Sequence, residues 1–259
     1  MATAVKVASD QGVPVKTKLR QCLRGRLRVA EISDHSVLID ELGPATVVLD
    51  LGANHGRFSR AVADMTGCHC YLVEANPLLA ADLATVEFDG VLHAAASGRC
   101  RNLLFGVADI DVQSRVVDVG EDSRSVTVAG MDYSSILSHF GLRRVDLLKL
   151  DIEGSEVEFI DAMSDAQLSA IDQISVEFHD FIPLYPRSTV RRILRRMKAL
   201  GFDNMSPNYG TYDVLLVNRD RIKSATLWNR FYVSYCTRPL LRLLRQRSAF
   251  DEVQAGPPV

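Results

Sequence analysis

The chain of 259 residues has the composition of a soluble globular protein with one large domain, since 47% of its residues are hydrophobic and 24% are charged. No apolar run approaches the length of a membrane span, and the N-terminus lacks the apolar segment of a signal peptide. The five cysteines form no paired framework, which predicts a cytoplasmic protein without disulfides.

The net charge of −2 conceals an uneven distribution along the chain. Residues 1–28 carry seven Lys/Arg against one acid and residues 219–247 carry eight against one, so residues 29–218 have a net charge of −13. The acidic central region argues against a nucleic-acid-binding core. The basic ends fit either contact with an anionic partner or lipid surface, or simple solvated faces, and both readings stay open.

The two ends of the chain are predicted to be helical extensions of a central core. Leucines interleaved with arginines from Lys16 to Leu42 indicate one or two helices, after residues 1–14, which show no period. Near the C-terminus, leucines opposed to arginines indicate a basic amphipathic helix, followed by a disordered tail. The predicted division is an N-terminal segment 1–45, a core 46–221 and a basic extension 222–259.

The sequence Val47–Gly56, VVLDLGANHG, has the pattern of a nucleotide-binding turn. A short apolar run predicts a buried strand, and apolar residues at helical spacing follow the glycines. Such a turn lets the backbone approach a ligand that faces the helix N-terminus. The spacing Gly52-x-x-x-Gly56 differs from the G-x-G-x-x-G of dinucleotide enzymes, which disfavours a dehydrogenase.

Asp50, two residues before the first glycine, suggests the charge of the ligand. Its carboxylate would repel a pyrophosphate but would attract the ammonium and sulfonium of S-adenosylmethionine. An ordinary strand-to-helix turn without a ligand is the alternative reading of the same residues. The turn by itself favours the cofactor over the ordinary turn, and the second reading stays open.

Two further strand ends carry residues that suit a nucleoside. The apolar run from Cys70 predicts a second strand that ends at Glu74, 24 residues after Asp50. In a doubly wound fold an acid near this position accepts hydrogen bonds from the two ribose hydroxyls. A third strand over residues 91–96 ends in small residues, of which Ala96 is the candidate for an adenine pocket, with simple packing as the alternative.

The remaining elements complete an alternating pattern with one interruption. Residues 102–130 indicate two or three β segments, which predicts an antiparallel insertion after the third strand. The fourth and fifth strands are predicted over Val145–Asp151 and Ile174–His179. A last strand over residues 212–217 is predicted to pair antiparallel with residues 202–205. This order of elements predicts an α/β fold.

Four motifs stand in an order and spacing that resemble those of one family. They are Asp50-Leu-Gly-Ala-Asn-His-Gly56, Val73-Glu-Ala-Asn-Pro77, Lys149-Leu-Asp-Ile-Glu-Gly-Ser-Glu156 and Glu177-Phe-His179. Together they resemble the FkbM family of S-adenosylmethionine-dependent methyltransferases over about Val47 to Val217. The resemblance implies a class I methyltransferase, a Rossmann-like, doubly wound, seven-stranded sheet with one antiparallel strand. It also implies O-methylation of sugars, glycolipids, polysaccharides or macrolides.

The resemblance assigns roles to the residues of the first two motifs. The methionine end of the cofactor is expected beside the residues of the glycine turn, with its ammonium held by backbone carbonyls and Asp50. Glu74 is expected to hold the ribose. The cofactor-binding set is Asp50, Gly52, Ala53, Asn54, Gly56, Glu74 and Ala96.

The third and fourth motifs supply the candidate catalytic residues. Asp151 and His179 follow neighbouring strands, whose carboxyl ends converge in open sheets, and Glu177 shares a strand face with His179. An imidazole titrates near neutral pH, so His179 is predicted to be the general base, with Asp151 orienting it or the acceptor. The same three side chains, Asp151, Glu177 and His179, could instead bind Mg²⁺ or Mn²⁺. A core histidine satisfied by a neighbouring carboxylate is the third reading.

The predicted function is therefore O-methylation of a hydroxyl of a sugar, glycolipid or polysaccharide, with S-adenosylmethionine as the methyl donor. O-methylation of a polyketide or another small metabolite is the alternative, and a cofactor-binding module without catalysis is the alternative of another class. The expected partners are a small-molecule or glycan acceptor and no nucleic acid. The basic C-terminal helix suggests peripheral contact with an anionic membrane, and the sequence does not indicate the oligomeric state.

Overall fold

The computed structural model describes residues 3–7, 15–21, 28–106, 115–116, 125–179, 187–206 and 213–222. A seven-stranded sheet forms the centre of the described part. Its strands are β5 Val47–Leu51, β6 His69–Glu74, β7 Gly90–His93, β12 Leu147–Leu150, β13 Gln173–Val176, β14 Phe202–Asn204 and β15 Val214–Asn218. Within the described ranges, no helix combines the length and apolar character needed to span a bilayer.

The order of the sheet creates a ligand crevice at its middle. The strands lie in the order β7-β6-β5-β12-β13-β15-β14, and all are parallel except β15, which runs antiparallel to both neighbours. The chain builds outwards from β5 to β7 and then returns to place β12 on the other side of β5. Ligands bind outside the carboxyl ends of strands at such a switch point. The predicted α/β fold with a doubly wound, seven-stranded sheet and one antiparallel strand is confirmed.

Helices cover the sheet and bury its apolar strands. They are α1 Arg57–Thr66, α2 Pro77–Leu83, α3 Tyr133–Phe140, α4 Glu156–Ala162, α5 Asp165–Ser169 and α6 Arg187–Ala199, with a short 3₁₀ helix over Ile39–Glu41. Ile136, Phe159 and Ile193 pack with Leu49 and Leu148 in the largest apolar cluster. The central strands read as nearly continuous apolar runs because their side chains are buried on both faces.

The predicted β insertion after the third strand of the main sheet is present. The chain passes from β7 into β8 Ala95–Ala96, β9 Arg101–Gly106, β10 Arg115–Val116 and β11 Ser125–Met131. These strands form a second sheet in the order β10-β9-β11-β8, in which β11 pairs antiparallel with β9 and parallel with β8. Residues 107–114 and 117–124 of the predicted insertion lie outside the described residues.

The prediction of an N-terminal helical segment is wrong. The chain instead forms an antiparallel sheet of β1 Thr3–Val7, β2 Val15–Gln21, β3 Arg28–Ile32 and β4 His35–Leu38. A spacing of four residues, as from Leu19 to Leu23, is a multiple of two, so it fits the period of a strand as well as that of a helix. The boundaries at residues 45 and 221 stay predictions, and the basic C-terminal helix lies outside the described residues.

The hairpin of β3 and β4 is joined by a tight turn and rests on the main sheet. Ser33 and Asp34 have φ values of 47° and 67°, as in the two-residue turns whose twist matches that of the flanking strands. Leu38 of β4 is fully buried in a cluster with Leu215 and Val217 of β15. Because every residue of β4 is buried, the hairpin is an integral part of the core.

Candidate functional site

The glycine turn after β5 packs directly against the backbone that follows β12. Gly52 has a φ of 78°, and the amides of Gly52 and Ala53 donate to the carbonyl oxygen of Val73 at 3.0 and 3.1 Å. A Cβ atom on Gly52 would lie 1.8 Å from the carbonyl oxygen of Asp151. Only glycine fits here, because both the backbone angle and the close approach exclude a side chain.

A buried ion pair supports the turn from below. Asp50 has no exposed surface, and its carboxylate accepts a hydrogen bond of 2.6 Å from the Ser59 hydroxyl. The Lys149 ammonium lies 3.2 Å from the other carboxylate oxygen of Asp50 and donates to the carbonyl oxygen of Gly52 at 2.7 Å. Both oxygens of Asp50 are thus engaged inside the protein, so its placement favours a supporting role over the predicted contact with the cofactor ammonium.

Lys149 remains charged in this apolar setting because acids surround it. Burial alone would lower the pKa of Lys149, but the charges of Asp50 and Asp151 raise it above the ordinary value. The ammonium also lies 3.5 Å from the carboxylate of Asp151. Lys149 therefore links the carboxylate beneath the glycine turn to the carboxylate at the end of β12.

Glu74 lies beside the turn, as predicted for the residue that holds the ribose. The residue is 6% exposed, and its two carboxylate oxygens accept the backbone amides of Asn54 and Asn76, each at 2.7 Å. Burial raises the pKa of Glu74, although these two hydrogen bonds act against the rise. Each oxygen keeps a further lone pair, so the carboxylate can accept hydroxyl groups while it holds the turn.

The other predicted cofactor residues differ in their burial and in their packing. Ala53 is buried, whereas Asn54 is exposed with a φ of 51°. Gly56 has a φ of 69° and precedes α1, and a Cβ atom on it would lie 2.8 Å from a methyl carbon of Leu83. Ala96 is buried in β8, paired with Met131. Packing therefore accounts for Gly56 and Ala96 without a ligand.

The three predicted catalytic side chains meet in one cluster. The Nε2 atom of His179 lies 3.9 Å from Asp151, 3.4 Å from Glu153 and 3.9 Å from Glu177, each measured to a carboxylate oxygen. Its Nδ1 atom is 2.9 Å from a carboxylate oxygen of Glu156. His179 is 4% exposed, so four carboxylates surround a buried imidazole.

This environment controls the protonation of the imidazole. Burial favours the neutral form, but the hydrogen bond and charge of Glu156, together with the charges of Glu153 and Asp151, raise the pKa of His179 to about 9. The imidazole of the protein without ligands is therefore protonated at neutral pH. A protonated imidazole donates hydrogen bonds and cannot accept a proton, which argues against His179 as the general base at neutral pH.

The pKa values of two carboxyl groups in the cluster, Asp151 and Glu153, are shifted in opposite directions. Burial alone would raise the pKa of Asp151, but the charge of Lys149 and the hydrogen bond from His35 lower it well below its ordinary value. Burial and three neighbouring acids raise the pKa of Glu153 to about 7, although the charge of His179 acts against the rise. Glu153 also has a φ of 52°, an unusual backbone conformation for a residue other than glycine.

Glu156 has a larger role than the sequence indicated. The residue is fully buried at the start of α4, and one of its carboxylate oxygens accepts the backbone amides of Ile152 and Gly154 at 3.1 and 3.0 Å. The same oxygen contacts His179. Glu156 thus fixes the loop after β12 and orients the imidazole, although the sequence analysis assigned it no part in the site.

His35 is a site residue that the sequence analysis missed. It lies at the start of β4, is 3% exposed, and its Nε2 atom is 3.3 Å from a carboxylate oxygen of Asp151. Its ring also packs edge-on against Phe58 of α1, with the ring centroids 5.6 Å apart. The signal that could have revealed it is the two-residue turn at Ser33-Asp34, which predicts a hairpin where we expected a helix.

The described residues contain two groups whose ligand atoms lie close enough together to hold a metal ion. One consists of His35, Asp151 and Glu177, the other of Asp151, Glu153 and His179, and the atoms of each group lie within 4.8 Å of one another. The set predicted from the sequence, Asp151 with Glu177 and His179, is divided between these two groups. Asp151 belongs to both and is the common element.

The residues present fit S-adenosylmethionine on two observations. The buried carboxylate of Glu74 lies beside the glycine turn and can accept two further hydrogen bonds, which is what a ribose requires. The cluster around His179 is acidic, and it complements a positively charged sulfonium. Glu74 would hold the ribose, the turn would hold the methionine end, and the cofactor would supply a methyl group activated for transfer.

Comparison with protein families gives one match over more than half of the chain. Residues 50–203 match the methyltransferase FkbM domain. This range includes the glycine turn, Glu74 and the cluster around His179, but it begins after the hairpin that carries His35. A search of curated proteins gave no match.

Several solved structures share the general architecture at low similarity. The fibrillarin pre-rRNA processing protein of Methanococcus jannaschii is 10% identical with a TM-score of 0.43, covering 84% of this chain and 96% of that chain. Aeropyrum pernix fibrillarin with natively bound S-adenosyl-L-methionine is 10% identical with a TM-score of 0.39, covering 83% and 98%. A SAM-dependent methyltransferase from Aquifex aeolicus is 10% identical with a TM-score of 0.33, covering 68% and 81%.

Proposed function

Because the chain belongs to the FkbM family of methyltransferases, we propose that it transfers a methyl group from S-adenosylmethionine to a hydroxyl of a sugar-containing acceptor. The observation that carries this proposal is the cluster of Asp151, Glu177 and His179 beside the glycine turn. These side chains follow neighbouring parallel strands at the switch point of the sheet, where a cofactor and an acceptor can meet.

The chemistry requires alignment of the acceptor and removal of one proton. S-adenosylmethionine supplies the methyl group on a sulfonium, which is a good leaving group. The carboxylates of Asp151 and Glu177 accept hydrogen bonds from the acceptor, and a carboxylate of the cluster takes up the proton that the hydroxyl loses. Alignment can contribute up to about 7–11 kcal/mol to the lowering of the barrier, more than a positioned base adds.

The charge of the cluster favours a neutral acceptor that carries several hydroxyl groups. Carboxylates accept hydrogen bonds from hydroxyls, and those to a charged group are roughly twice as strong as those between neutral groups. The same carboxylates repel phosphate or carboxylate near the reacting oxygen. A sugar offers adjacent hydroxyls and no negative charge, which is the support for a sugar-containing acceptor.

The first prediction concerns the cofactor and Glu74. Replacing Glu74 with glutamine removes the charge and turns one acceptor into a donor, so S-adenosylmethionine and its demethylated product should bind at least ~10-fold more weakly. Isothermal calorimetry measures the affinity. Glu158→Gln is the matched control, because Glu158 pairs with Arg101 at the surface and the affinity should not change. Equal affinity of Glu74→Gln and wild type would refute the assignment of Glu74 to the ribose.

The second prediction separates an enzyme from a cofactor-binding module. Wild type, incubated with methyl-labelled donor and a host extract, should yield a labelled hydroxyl-bearing product. His179→Gln removes the cation that the surrounding carboxylates share, so their alignment of the acceptor is disturbed and transfer should fall about 10²-fold, while the affinity for the donor stays within a few-fold. The exposed His139→Gln serves as control and should leave both unchanged.

Two results would count against this function. If wild type binds the donor but labels nothing in any extract, the chain acts as a binding module. If the labelled product is a polyketide or another small metabolite without a sugar, the reaction class stands but the proposed acceptor is wrong.

A further inference from the structure

The hairpin that precedes the family domain brings a histidine into the proposed active site. His35 belongs to β4, outside the matched residues 50–203, yet its Nε2 atom lies 3.3 Å from Asp151. The ligand atoms of His35, Asp151 and Glu177 all lie within 4.8 Å of one another. Three elements that are distant in sequence, β4 and the ends of β12 and β13, therefore present one imidazole and two carboxylates to the same point.

The protein holds this histidine in place with several buried hydrogen bonds. The amide and hydroxyl of Ser36 donate to the two carboxylate oxygens of Asp213 at 3.0 and 2.5 Å. The amide of Leu38 donates to the side chain of Gln173, which donates back to the carbonyl oxygen of Leu38. These hydrogen bonds of Ser36 and Leu38 anchor the part of β4 that directly follows His35, and they thereby fix its position.

His35 is a buried histidine whose polar contacts are incomplete. Its side chain is 4% exposed, and its Nδ1 atom has no hydrogen-bond partner among the described residues. Among the described residues, Nε2 is therefore the ring atom through which His35 makes its polar contact, and it faces the carboxylates. The distance of 3.3 Å from Nε2 to Asp151 exceeds that of a charge-assisted hydrogen bond. Nε2 thus faces the carboxylates across a long hydrogen bond to Asp151.

The surroundings also contain more negative than positive charge. Among the described residues, the cluster has the carboxylates Asp151, Glu153, Glu156 and Glu177. The buried groups beside them that can carry a positive charge are Lys149 and, when protonated, His179 and His35. Four carboxylates within a few ångströms repel one another. A divalent cation among them would offset this excess.

We propose that His35, Asp151 and Glu177 bind one divalent cation, Mg²⁺ or Mn²⁺, at the acceptor side of the site. Carboxylates are the ligands that these ions prefer, and Mn²⁺ also accepts an imidazole. Three protein ligands leave positions of a six-coordinate ion for water or for acceptor oxygens. The hairpin ahead of the family domain is then a part of the active site, because it supplies the only nitrogen ligand of this group.

The role of the cation rests on the proposed function. Two adjacent hydroxyls of an acceptor can occupy the open positions, and coordination lowers the pKa of the hydroxyl that is to be methylated. The cation also orients that oxygen towards the methyl donor. Cation binding itself can be measured without any acceptor, so its failure is distinguishable from a failure of methyl transfer.

The test uses the full chain, treated with a chelator and titrated with Mn²⁺ under electron paramagnetic resonance. Wild type should bind one Mn²⁺ per chain, and pulsed spectra should show coupling to a directly bound imidazole nitrogen. In His35→Gln the nitrogen coupling should disappear and the affinity should fall at least ~10-fold, as for other losses around bound metals. Asp151→Asn should abolish stoichiometric binding. The surface variant His139→Gln should match wild type.

Each other outcome overturns the proposal. Absence of stoichiometric Mn²⁺ binding by wild type rules out the site, even where methyl transfer is observed in the presence of chelator. Nitrogen coupling that persists in His35→Gln but is lost in His179→Gln places the ion on the other group, with Glu153, and excludes the hairpin. Thermal unfolding of the metal-free variants identifies a loss of fold, and His35→Asn then provides a second test of the same ligand.

Discussion

Replacing Gly52 with alanine is expected to destabilise the protein by at least ~4 kcal/mol and to abolish binding of S-adenosylmethionine. Two independent effects combine at this position. The φ of 78° disfavours any side chain, and the added Cβ atom would lie 1.8 Å from the carbonyl oxygen of Asp151. The obstacle is backbone at the end of a buried strand, so relief requires the glycine turn and the end of β12 to separate. Urea unfolding and calorimetry with the cofactor measure the two effects.

Gly141 provides a matched control for the backbone angle alone. Its φ is 67°, close to that of Gly52, but no atom of the described residues lies within 4 Å of the position that a Cβ atom would take. Gly141→Ala should therefore cost only about 1 kcal/mol and leave cofactor binding unchanged. If both variants lost the same small free energy of unfolding, the close approach of Asp151 to the turn would be disproved.

The sequence predicted the main sheet well because its signals are local. Apolar runs that end in Asp50, Glu74 and Asp151 mark buried parallel strands, and glycines mark the turns after them. The meeting of Asp151 and His179 also follows from sequence order, since the carboxyl ends of neighbouring parallel strands lie together. Residue identity and strand order were sufficient for these predictions.

The sequence could not predict contacts that depend on the path of the chain between elements. His35 reaches the site because β4 lies across the main sheet, and nothing local to His35 indicates that path. The leucine spacing before His35 fits both the helical and the strand period. We chose the helical period and therefore did not predict the hairpin. Glu156 was missed for a related reason, because its three contacts with one oxygen exist only when the loop after β12 is folded.

The two sides of the site differ in how their charges are balanced. On the cofactor side, Lys149 neutralises Asp50 beneath the turn in a pair that is almost completely buried. On the acceptor side, the carboxylates outnumber the buried cations around His179. Such pairs contribute little net stability but are costly to break, because removal of one partner leaves a buried charge uncompensated. Replacement of Lys149 should therefore disturb both the cofactor side and the acceptor side of the site.

Replacing Lys149 with methionine should lower the free energy of unfolding by about 3–5 kcal/mol, since it leaves Asp50 buried without a cation and removes one neighbour of Asp151. The variant Asp50→Leu/Lys149→Met should recover part of this loss, because it removes both charges. A double-mutant cycle measured by urea unfolding gives the coupling between them. Arg192→Met breaks an exposed ion pair with Asp161 and should cost at most about 1 kcal/mol. If Lys149→Met were as mild as Arg192→Met, or if its effect simply added to that of Asp50→Leu, then the buried pair could not be what supports the glycine turn.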